Sequence, residues 1–120
     1  MQQNMPLNRL GLLLNSLEFF RLNSRRHFHH HGVYVPSLRS IDYIAAVARS
    51  ISNDVLLPPV PREIRIQILA DTYALVEALE EAARTHRRAG NVHIVDLYNG
   101  SIQLALQIYH HAYAWMEANP

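Results

Sequence analysis

The chain has 120 residues, the span of one domain, since a domain typically takes roughly 100–150 residues. Hydrophobic residues make up 49% and charged residues 18%, which suits a packed core and excludes disorder by composition. The lack of Cys excludes a disulfide scaffold and any Cys-ligated zinc or iron–sulfur centre, while a formal charge of +1 gives no global drive toward nucleic acid or an anionic membrane.

Residues 1–5 are polar and are expected to fray. From Pro6 onward the pattern is helical, with Leu10, Leu13, Leu14, Leu17 and Phe20 recurring at three- and four-residue steps. This first helix is expected to fade at Asn23 and Ser24. Residues 25–36 (RRHFHHHGVYVP) carry no helical period and are expected to form a His-rich loop closed by Pro36. Ser37 is the expected N-cap of a second helix. Its apolar positions Ile41, Ile44, Ala45, Val47, Ala48 and Ile51 carry it to Ser52.

Residues 53–61 form a connector whose prolines forbid regular helix. A third helix is expected to start at Pro61 or Arg62 and stop at Gly90, a residue suited to the left-handed end of a helix. Its first half is apolar on two sides: Ile64, Ile68 and Leu75 on one, Ile66, Leu69, Tyr73 and Val76 on the other. Its second half is charged, with Glu80 and Arg84 spaced for an i,i+4 ion pair. A fourth helix is expected over 92–118. One stripe reads Ile94, Tyr98, Ile102, Ala105, Tyr109, Ala112 and Met116; a second reads Leu97, Leu104, Ile108, His111 and Trp115. Asp96 is the only formally charged residue between Val92 and Met116, and a helix apolar nearly all round is buried on more than one side. The expected fold is therefore all-α, a four-helix bundle in one domain with long third and fourth helices.

The basic residues are all Arg, 11 of them, with no Lys. A GC-rich coding bias explains this, as does avoidance of lysine-directed modification in a viral protein or one delivered into a host cell. The eight His would add eight charges to the formal +1 on full protonation, so mildly acidic pH is expected to matter.

Motifs for chemistry are sparse. His27, His29 and His31 are the only metal-ligand candidates, since alternate residues of an extended segment can converge, but the nearest carboxylate downstream is Asp42. No cofactor is expected. The arginines at the ends of the first and third helices complement helix dipoles, and Glu77, Glu80 and Glu81 interrupt any phosphate-tracking stripe. Nucleic-acid binding is accordingly not expected. Pro58-Pro59-Val60-Pro61 fits the P-x-x-P pattern but is expected to strap the bundle end. No Gly-x-Ser-x-Gly elbow or Gly-rich phosphate loop occurs. No run of residues is apolar enough to span a bilayer, which makes the cytoplasm the expected compartment.

The segment RAGNVH, from Arg88 to His93, resembles the Arg-x4-His element of the HEPN family, small all-helical domains that include metal-independent ribonucleases. The resemblance implies that Arg88 holds a phosphate and His93 sits near the scissile bond. Ala89 stands where the family often has Asn or Asp, and Arg26 and His31 repeat the same spacing.

The sequence therefore points first to a non-catalytic regulator or adaptor that occludes a surface on a partner protein and forms a homodimer. The expected interface is the second stripe: Leu97, Leu104, Ile108, His111 and Trp115. A HEPN-like ribonuclease or RNA-binding domain using Arg88 and His93 is the alternative, and a structural assembly subunit is a third.

Overall fold

A computed structural model describes residues 8–30 and 36–120, with the segment 23–30 described by its backbone only. It is all-α, with helices α1 (Arg9–His30), α2 (Leu38–Ser52), α3 (Arg65–Arg88) and α4 (Val92–Ala118). A single 3-10 turn, Arg62–Ile64, leads into α3.

Local signals set most of the boundaries. Asn8 caps the start of α1: its side-chain oxygen accepts from the Gly11 N–H at 2.8 Å, satisfying a donor that the first helical turn leaves open, while Pro6 lies outside the described residues. Ser37 caps α2 in extended conformation, its hydroxyl accepting from the Ser40 N–H. Gly90 ends the third helix with φ 81°, a conformation that strains a residue bearing a Cβ. The expected loop at 25–36 needs correction, because α1 runs on through Asn23 and Ser24 to His30. No Gly or Pro stands between Gly11 and Gly32, so nothing in the chain breaks the ladder there. Residues 31–35 and the expected frayed end, 1–5, lie outside the described residues.

The core is one cluster fed by all four helices. Leu13, Leu17 and Phe20 come from α1, Ile41, Ile44 and Val47 from α2, Ile68, Leu75 and Leu79 from α3, and Leu104, Ile108 and Ala112 from α4. Each fully buried Leu or Ile contributes roughly 1.5–3 kcal/mol. The α3–α4 hairpin is the most extensive contact. Its antiparallel register is set at one end by Arg65 Nη1, which donates to the Asn119 carbonyl at 2.6 Å. At the other end the His86 and Tyr98 rings stack at 5.4 Å.

The start of α1 is pinned to α4. The buried Ser101 hydroxyl donates to the Arg9 carbonyl at 2.7 Å, and a Cβ at the preceding Gly100 would lie 3.2 Å from the Arg9 Cβ. Gly100 thus allows the close approach that the hydrogen bond requires. Ser101→Ala is expected to cost about 1 kcal/mol in urea unfolding, the usual net worth of such a bond, with the denaturant slope unchanged.

The connector behaves as a strap. Val60 is buried, the Tyr43 hydroxyl lies 3.1 Å from both the Pro58 and Pro59 carbonyls, and His111 Nε2 lies 3.0 Å from the Pro58 carbonyl. Burial pushes the Tyr43 hydroxyl up to about 12, so it stays a proton donor at any physiological pH. The charged half of α3 pairs differently from the expected Glu80–Arg84 bridge: Arg84 reaches Glu81 at 2.6 Å, one residue nearer.

Candidate functional site

The second stripe of α4 is not a free face. Leu104 and Ile108 have no exposed surface and belong to the core. Leu97, His111 and Trp115 are half-buried, and His111 is engaged with the strap. This corrects the expected interface, and the cause is plain. The outward face of α4 is a strip of Asp96, Asn99, Gln103, Gln107, His110 and Glu117, all exposed. Most of these are polar without being charged, so a count of charges alone overstates how apolar the helix is.

Arg88 and His93 flank the α3–α4 turn with both side chains exposed. Neither lines the cleft beside Phe19 or the one beside Ile41. His86, two residues before Arg88, instead stacks on Tyr98 and lies 3.2 Å from the Asn91 amide through Nδ1. The side chains of His27 and His29, and all of His31, lie outside the described residues. Among the described residues no three His, Asp or Glu side chains gather as a metal site would need. No helix there is long and apolar enough to cross a membrane.

An exposed apolar ledge does exist, on the outer flank of the α3–α4 hairpin. Ile66 is 78% exposed, Tyr73 59% and Tyr113 48%. Tyr113 stacks on the half-buried Tyr109 with ring centroids 6.4 Å apart. The register fixed by Arg65–Asn119 and His86–Tyr98 puts Tyr73 level with 109–113. Ile66 and Tyr73, seven residues apart, share one face of α3. The sequence carried this signal in the second apolar side of the third helix, where Ile66, Leu69, Tyr73 and Val76 recur.

A second feature lies on the other flank of α3. There α1 stands off from α3 and leaves an open cleft of about 740 Å³. Its α3 wall is Ala74, Ala78 and Ala82, and its α1 wall includes Leu12, Phe19 and Phe20.

One buried acid is unexplained by sequence pattern. Asp71, 1% exposed, accepts the Ser37 N–H at 3.2 Å and the Gln67 side-chain amide at 2.8 Å. It ties the N-terminal end of α2 to the second turn of α3. Burial pushes its carboxyl up to about 7 despite the Ser37 hydrogen bond, which acts in the opposite direction. The neighbouring Ser40 hydroxyl, in the first turn of α2, is buried with no hydrogen-bond partner among the described residues. Through Asp71 this polar contact holds two helices together.

Compared with known protein families, curated proteins and solved structures, the chain matches none of them.

Proposed function

We propose that the protein is a small non-catalytic regulator or adaptor, which binds a partner protein through the ledge of Ile66, Tyr73, Tyr109 and Tyr113 and thereby occludes the surface it covers. The same face pairs two copies into a homodimer when no partner is present, and the encounter takes place in the cytoplasm. The observation that supports this is the exposure of large apolar and aromatic side chains along one hairpin flank. Exposed apolar residues that cluster mark interaction sites, and tyrosines are enriched where binding energy concentrates.

The double variant Tyr73→Glu, Tyr113→Glu tests the proposal. Both positions are already exposed, so the thermal melt is expected to move little. Sedimentation of the unaltered chain at micromolar concentration is expected to show a species larger than the 13.8 kDa chain, and the double variant a monomer. A photoreactive residue placed at 73 in the native cells is expected to cross-link a defined protein, while one at the exposed polar position 103 is not. Equal cross-linking from both positions, or a monomer that cross-links nothing, overturns the proposal.

A further inference from the structure

We infer that the cleft between α1 and α3 is a binding site for a small amphipathic cation, a compact apolar body carrying one ammonium group. This site is separate from the ledge, since Ala74 lies about 100° around α3 from Tyr73, and its test is independent of partner binding. At about 740 Å³ the cleft is within the range of small-molecule sites, roughly 300–1,000 Å³. The space exists because α3 presents alanines at 74, 78 and 82, where larger side chains would close it against α1. Half of the remaining lining residues are apolar, Leu12, Phe19, Phe20 and Leu79, and the others are Asn15, Ser16, Glu77 and Tyr98.

Charge selects the ligand class. Among the lining residues Glu77 is the only one that is charged at neutral pH. None of the Arg side chains among the described residues lines the cleft. An anionic amphiphile such as a fatty acid would therefore meet a like charge and no counter-ion. A cation gains the Glu77 carboxylate together with three aromatic rings, Phe19, Phe20 and Tyr98, of the kind whose faces attract ammonium groups. Phe19 is 56% exposed, so an apolar body seated beside it removes further surface from water.

Three molecules with one apolar cage test the inference: 1-adamantylamine, 1-adamantanol and 1-adamantanecarboxylate, titrated into the full chain at pH 7 by calorimetry and by backbone amide NMR shifts. The amine is expected to bind tightest and to shift the amides of Ala74, Ala78 and Ala82. Its advantage over the alcohol is expected to be about three- to fivefold, the worth of a solvent-exposed ion pair. Glu77→Gln is expected to remove that advantage without affecting the alcohol, and Ala78→Phe to block all three. Ala78 is exposed on a helix face, so the larger side chain leaves the core intact, which a preserved melt verifies. Should that variant unfold, the amide shifts and the Glu77→Gln comparison carry the decision. Tightest binding by the carboxylate, an amine advantage that survives Glu77→Gln, shifts confined to other helices, or no binding at millimolar concentration each overturns the inference.

Discussion

Ile108→Asp is expected to abolish the cooperative unfolding transition, whereas Ile102→Asp is expected to keep it with a loss of about 1–2 kcal/mol. Ile108 has no exposed surface and belongs to the core cluster shared by all four helices. A carboxylate there loses the burial of the isoleucine and carries a charge with no partner into an apolar interior. Together these exceed roughly 5 kcal/mol, comparable with the whole stability of a small domain. Ile102 is half-buried at the edge of the α3–α4 hairpin, where a short charged side chain reaches water. Far-UV circular dichroism in a urea series checks both. A cooperative Ile108→Asp transition within 1 kcal/mol of the parent would remove Ile108 from the core.

Asp71→Asn is expected to stabilise the protein at pH 8 and to leave it nearly unchanged at pH 4. The folded carboxyl is held at about 7 by burial, while in the unfolded chain it titrates near 3.9. Between those values the folded state keeps a proton that the unfolded state has released. Stability from this group is therefore fully present below about pH 4, falls as pH rises, and levels off above about pH 7. Three pH units correspond to about 4 kcal/mol at most, and on the order of 2–3 kcal/mol is expected, because the Ser37 and Gln67 donors help to hold the ionised form. Asparagine keeps the acceptor for Ser37, and the Gln67 amide can turn to accept from the new NH₂. The chain also carries eight His, so the quantity to measure is the variant-minus-parent difference in urea stability at each pH. A difference that stays flat from pH 4 to pH 8 would mean that Asp71 is ionised in the fold.

The fold was legible in the sequence wherever a local signal acts alone. Ser37 capped its helix, Gly90 stopped the third, and the fourth ran from Val92 to Ala118. The end of the first helix is not legible in the sequence, because the amphipathic period is lost after Phe20 while the helix continues to His30. A backbone ladder persists through Arg, His and Phe until a residue breaks it. The site was less legible. Two apolar stripes on the fourth helix do not reveal which one the rest of the chain covers. That depends on where α1 and the proline strap lie, and both are set by long-range contacts such as Ser101–Arg9 and His111–Pro58. Asp71 gave no signal at all, since an aspartate between Ala70 and Thr72 looks the same in sequence whether water or another helix faces it.

The strap has a consequence for how this sequence can drift. Tyr43 and His111, from α2 and α4, both close on the carbonyl of Pro58. Every amino acid brings that carbonyl, so no single substitution at 58 deletes the acceptor; it can only change the path of the chain that presents it. The two side chains that reach for the carbonyl have no such redundancy. Variation is therefore tolerated in the strap itself so long as its extended course is kept, and the constraint falls on two positions 68 residues apart in helices that look unrelated to it.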